Sequence, residues 1–469
     1  MSAETNQLPI TPLPAAPSWK QRLLRQVAGL FMFEAISGLV IWLLPFSVST
    51  QFMVLFHTGV GLIFAVPFIV TQFQHFPPSW AHGERFQKWL GITGCALVAV
   101  ITISGLVLTA QATLGMQISS LWHYIHLVSS LVSIPVLLVH VTPLARKLAR
   151  AWEKIPVVRP PLPWRWEILA APVILLAATY AAAWSYLPVN YRDFPLPANY
   201  VFPYGANPFA PSLAITDTGQ PVAPVALNNS KSCATAGCHV EIYTEWAIGA
   251  HRWSAADQRF QAGQGIMARE EGAPATRYCA GCHDPVSLLT GYKDADRGLN
   301  APGYDEGNSC LLCHGIQKVD IQGNGNYIWR APQRYAFENK PGALPAFLGK
   351  FLIRSYPDQH KRDFDLTLLR KPEFCGACHK QFIDKEVNKF GWVQLQNQYD
   401  EWKSSHWFRE GDSQRMLTCQ QCHMRLVASQ DPARGNPDDP LRGDDKQHRS
   451  HRILAANQFM PLALKLEGA

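Results

Sequence analysis

Cys279-Ala280-Gly281-Cys282-His283 sets two thiols three residues apart and places an imidazole directly after the second. Three more copies keep the spacing: Cys310-Leu311-Leu312-Cys313-His314, Cys375-Gly376-Ala377-Cys378-His379 and Cys419-Gln420-Gln421-Cys422-His423. A fifth, running from Cys233 to Cys238 and His239, has four residues between its thiols. Ten of the eleven cysteines are used in this way, and Cys95 is left over. The pattern is the attachment signature of c-type haem. The two thiols add to the haem vinyls, and the adjacent imidazole becomes an axial iron ligand. Zinc sites of this type come as two cysteine pairs, with no need for a histidine after each. With 16 histidines in 469 residues, five adjacent occurrences are not chance. The wider first loop still lets both thiols reach one porphyrin. Five covalent haems c are therefore expected.

Five haems need five further axial ligands. Beyond the motifs, the chain from Cys233 onward holds five histidines: His251, His360, His406, His448 and His451. Bis-histidine ligation throughout gives six-coordinate haems that pass electrons and bind no substrate. The alternative is that Met267, Met416, Met424, Met460 or an open position replaces one of them. Tyr243-Thr244-Glu245-Trp246 precedes His251, and Tyr399-Asp400-Glu401-Trp402 precedes His406. A motif, a short amphipathic stretch, Tyr-x-Glu-Trp and a histidine thus form one unit written twice. On these motifs the region from about 230 to 455 resembles periplasmic multihaem cytochromes c related to the pentahaem nitrite reductases and the hydroxylamine-oxidising enzymes. The resemblance implies haems stacked in a compact, helical, loop-rich wrapper. The nitrite reductases carry lysine in place of one motif histidine to open a catalytic iron. Here every motif ends in histidine.

The first half is of a different material. Apolar runs near the length of a bilayer crossing lie at about 27–46, 52–73, 90–110, 119–142 and 166–187, and Glu34 is the one charge well inside them. Five transmembrane helices are expected, so the fold class is mainly α: a five-helix membrane bundle followed by a loop-rich helical domain. Basic residues set the orientation. Lys20, Arg22 and Arg25 precede the first span, Arg85 and Lys88 follow the second, and Arg146, Lys147, Arg150, Lys154, Arg159 and Arg165 follow the fourth. The two opposite loops carry no Lys or Arg. The N-terminus is thereby expected in the cytoplasm and the C-terminal domain in the periplasm, as c-type haem attachment also requires. The first span is read as a retained export signal in the bacterial inner membrane.

Intramembrane histidines are functional candidates by default. His57 and His75 lie on the second span, and His126 and His140 on the fourth. A step of 18 residues returns to the same helix face, and one of 14 returns to within about 40°. The two helices can clamp two non-covalent haems b, with His57 and His126 at the outer level and His75 and His140 at the inner, roughly 20–27 Å apart. His123 is the alternative outer ligand, and His82 is read as a loop residue past Pro77 and Pro78. Around Trp122-His123-Tyr124-Ile125-His126 and His140, residues 20–187 resemble the cytochrome b subunits of hydrogenases and formate dehydrogenases, although the first span lacks the histidine often found there. Glu34 is placed near the inner haem, as a quinone or proton site, or as a carboxylate packed against a neighbouring helix. Cys95 is read as core packing.

The expected domains are a tail at 1–19, the membrane domain at 20–187, a Pro-rich linker at 188–229, the pentahaem domain at 230–455 and a tail at 456–469. The leading functional reading is electron transfer between membrane quinol or quinone and a periplasmic electron carrier or reductase, in either direction. A second is an oxidoreductase acting on a small nitrogen or sulfur compound at one five-coordinate haem, with the Cys310–His314 motif as the candidate. A third is a quinone-reducing anchor within a complex of several subunits. The net charge of +7 sits mainly in the cytoplasmic loops and is read as topology, not as nucleic-acid binding.

Overall fold

A computed structural model describes residues 19–82, 85–153, 163–293, 301–412, 414–435 and 446–454. The expected tails, including Met460, fall outside these residues, as do the side chains of His75, His82 and the basic cluster 146–165. The chain divides into two units: Met1–Leu114 with Ile118–Leu187, and Gly115–Gln117 with Pro188–Ala469.

The first unit is five helices: α1 (Trp19–Leu43), α2 (Val48–His82), α3 (Arg85–Thr113), α4 (Ser120–Glu153) and α5 (Pro163–Ser185). Each is long and apolar enough to cross a membrane, over stretches of 18 to 29 residues. The apolar surface faces outward: Ile63, Val66, Phe73 and Trp184 are all exposed. Polar residues turn inward, and Ser37, Thr71, Ser104, Ser133 and Thr179 are buried. Their hydroxyls are satisfied within their own helices, as when Ser104 Oγ donates to the Val100 carbonyl (2.7 Å) and Thr179 Oγ1 to that of Leu175 (2.7 Å). This inverted pattern is what a lipid solvent selects. α3 lies along α4, and α1 packs on α2 and α5. Cys95 joins the cluster of Val27, Phe64, Phe68 and Val98, in keeping with a packing role. α2 continues through Pro77 and Pro78 to His82, so His82 is helical and not in a loop.

The second unit is held by short helices and three small sheets. β1 (Ile215–Thr216) pairs parallel with β3 (Tyr327–Trp329), which pairs antiparallel with β2 (Ile316–Val319). β4 (Lys380–Ile383) pairs with β5 (Val393–Asn397), and β6 (Leu426–Ala428) with β7 (Gln447–Arg449). The core gathers Phe209, Leu227, Val286, Leu288, Leu289, Leu312, Tyr327 and Trp329. The stretch 188–229, read above as a linker, is part of this unit. Its prolines extend the chain, but Tyr191, Phe209 and Leu227 are core residues between them. Buried Arg277 clasps the stretch by donating to the carbonyls of Val201 (2.5 Å) and Ala210 (3.0 Å).

Candidate haem centres

The five motifs lie in or beside short helices, and the third and fifth open theirs. Ser309 caps the helix Cys310–Gly315 by accepting from the Leu312 N–H, and Thr418 with Gln421 forms a capping box on Cys419–His423. All ten motif thiols are free, with no disulfide between them. The thiol of Cys233 meets that of Cys310, Cys282 meets Cys378, and Cys375 meets Cys419. The motifs are thus packed against one another. Among the described residues no three His, Cys, Asp or Glu side chains converge on one metal position.

The histidines are arranged in facing pairs. His239 of the first motif faces His360 with ring centroids 5.9 Å apart. His314 of the third faces His451 at 6.3 Å, and His379 of the fourth faces His251 at 6.1 Å. In the membrane unit His57 faces His126 at 6.2 Å. Two metal–imidazole bonds of about 2 Å each, plus about 1 Å from each ligating nitrogen to its ring centroid, come to about 6 Å. The spacing fits one iron between each pair.

Second contacts turn the rings correctly for this role. A ligating imidazole is held through its other nitrogen. The Nδ1 atoms of His314 and His451 lie 2.8 Å from the carbonyls of Phe364 and Arg449, and that of His239 lies 2.8 Å from Asp431 Oδ1. Burial opposes the charge of Asp431, but His239 and the Ala433 N–H hold its carboxyl below the usual range. His126 Nδ1 meets the Ile101 carbonyl (3.1 Å) and Ser104 Oγ (3.2 Å). In each case Nε2 remains as the ligand atom. Burial, and then the facing His379, pushes His251 down to about 4, and His360 and His451 are likewise lowered to about 4. At neutral pH these are neutral imidazoles, the form that binds metal.

Two motif histidines face no second imidazole among the described residues. His283 of the second motif lies parallel to the ring of Phe260, centroids 4.7 Å apart. His423 of the fifth is exposed, with Nδ1 2.8 Å from the Leu454 carbonyl. Of the five histidines offered above as distal ligands, His406 touches the Trp407 ring and His448 is turned away. The buried His448 Nε2 lies 3.0 Å from Glu245 Oε2, because its pairing opposite Val427 in β7 points it at the helix Val240–Ala247. The third motif, the expected open site, is instead faced by His451.

Of the two histidines expected at the inner level, His140 is the one whose side chain is described. His140 lies against α3 at Gly91, where a methyl group would stand 3.1 Å from its Cε1. His126 meets Gly105 in the same way, at 3.2 Å. The two glycines are 14 residues apart, as are the two histidines, so α3 carries a notch for each. Glu34 stands beside His57, at the expected outer level and not the inner: its Oε2 is 3.0 Å from His57 Nδ1. The reason is depth. Glu34 stands nine residues before the end of α1 at Leu43, and His57 nine after the start of α2 at Val48.

The sequence reading did not find Asp431, Ser37, Ser104 and Phe260. The matched glycine spacing on α3 was the available signal for the notches. Residues 232–315, which span the first three motifs, match the family model described as cytochrome c554 and c-prime. No curated protein and no solved structure matches the chain. The chain thus joins five helices of membrane-crossing length to a multihaem c-type domain.

Proposed function

We propose that this protein carries electrons between the membrane quinone pool and a periplasmic partner, using two haems b held by the spans and five haems c held by the motifs. The observation that carries the reading is the set of four facing imidazole pairs, one of them within the spans, where no cysteine motif exists. The bound haems supply a reversible one-electron iron couple. The chain's part is to fix ligand orientation, exclude water by burial, and pack the motifs side by side. The proposed inner ligands are His140 and, by the 18-residue helical step from His57, His75. The site is the inner membrane, with the N-terminus cytoplasmic and the motif domain periplasmic. A haem count on the purified protein, with anaerobic addition of a quinol analogue, tests this. Two b haems per five c, with b and then c bands reduced, is the expected result. No b haem, or no response of either band to quinol while a chemical reductant reduces both, would overturn outward transfer from quinol.

A second reading has its own observation. The ring packed against His283 is that of Phe260, and no second imidazole faces His283 among the described residues. If the second motif holds a five-coordinate haem, the protein can act on a small nitrogen or sulfur compound there. A high-spin ferric signal that is lost in Phe260→His would support this reading, and a fully low-spin resting protein would remove it.

A further inference from the structure

We infer that Glu34 is a positioning residue of the outer membrane site, which strengthens His57 as an iron ligand and lowers the reduction potential there. The inference rests on the reading that His57 and His126 hold a haem b.

A carboxylate inside a span is costly and calls for a specific partner. Glu34 has one. Its Oε2 lies 3.0 Å from His57 Nδ1, with the carboxylate largely buried. Ser37 Oγ stands 2.8 Å from the same nitrogen and 3.2 Å from the Glu34 carbonyl. The serine hydroxyl donates to that carbonyl, so its oxygen and the carboxylate both accept from the His57 N–H. The imidazole is thereby locked in one tautomer, with Nε2 turned toward His126. A carboxylate in this position raises the basicity of a ligating histidine. A more basic ligand favours ferric over ferrous iron.

The neighbourhood suits the role. Gly61, one turn beyond His57 on α2, lies beside the carboxylate, where a methyl group would stand 3.5 Å from Oε2, in ordinary contact. The opposite ligand, His126, is held by a carbonyl and a hydroxyl among the described residues. The outer site is therefore asymmetric, with the charge on the α1 side. Oε1 is buried and makes no hydrogen bond, so the pairing with His57 is the side chain's one polar contact among the described residues.

The test uses the full-length protein in lipid nanodiscs, as wild type, Glu34→Gln and Glu34→Asp. Haem b is counted, and b and c absorbances are titrated against potential. Glu34→Gln keeps shape and a hydrogen-bond acceptor but removes the charge. The potential of one b component is expected to rise by about 59 mV, a roughly tenfold fall in its ferric-to-ferrous ratio at fixed ambient potential for a one-electron couple. The c components stay in place, and Glu34→Asp returns the b component toward the wild-type potential. If Glu34→Gln loses that haem and Glu34→Asp keeps it, the carboxylate is again shown to hold His57. An unmoved b potential in Glu34→Gln, or loss of haem in both variants, overturns the inference. A wild-type protein without haem b overturns the reading beneath it, and that is seen before any variant is made.

Discussion

His448 and His451 stand three residues apart, and the fold gives them different partners. His451 faces His314, while His448 pairs with Glu245. Counting histidines found both and could not separate them, because their partners are over 100 positions away in sequence. His448 has a pH signature of its own. Burial works against its charge, but the hydrogen bond to Glu245 and the surrounding carboxylates raise it above 6.5. Glu245 is also penalised by burial, yet His448 and the His451 N–H lower it below 4.5. A raised imidazole stabilises the fold fully below its unfolded value, and that stability is lost as pH rises through the folded value. A lowered carboxyl stabilises above its unfolded value and loses this as pH falls through the folded one. The pair is therefore at full strength between 4.5 and 6.5. His448→Asn should cost on the order of 1–3 kcal/mol there. The deficit should shrink on both sides, and ligation should be unchanged. Thermal unfolding of both proteins across pH checks this, and a pH-independent deficit would contradict it.

At the level of elements, the length of the apolar runs located all five helices of membrane-crossing length, since lipid demands a continuous apolar run. The repeat also became structure. Tyr243 and Trp246 rings lie 5.6 Å apart, and those of Tyr399 and Trp402 5.8 Å. Trp246 Nε1 donates to the Asn308 carbonyl and Trp402 Nε1 to that of Leu417, each two residues before a motif cysteine. The repeated tryptophan thus ties one motif's helix to a later motif. What the sequence concealed was 188–229, whose prolines read as a spacer although its aromatic residues are core. The α3–α4 register allows a level-by-level test. A valine at position 105 places its branches at the His126 ring, and one at 91 does so at His140. Gly105→Val and Gly91→Val should each remove about half of the b absorbance, by one imidazole displaced per level, and leave haem c unchanged. Absorbance difference spectra distinguish this from loss of both levels, which would mean one shared site or a collapsed bundle.

For the whole molecule, the two halves differ in what they ask of the chain. The motif sites draw their thiols and ligands from residues after Pro188. The proposed membrane sites draw theirs from α2 and α4. Ligands of one half can therefore be removed without touching the other, and this separates a connected electron path from two independent haem domains. His126→Ala removes one side of the outer membrane pair. It should retain five haems c, and a chemical reductant should still reduce them all. Reduction of c by a quinol analogue should fall to background, because on the proposed path quinol electrons enter through the spans. His360→Ala is the converse case. It strips the partner of His239, so quinol should still reduce the b bands while a high-spin ferric signal appears among the c haems. Stopped-flow traces at b and c wavelengths give both readings in one experiment. Equal quinol-driven c reduction in wild type and His126→Ala would show that electrons reach the motif domain without passing the membrane pair. The spans would then be an anchor alone.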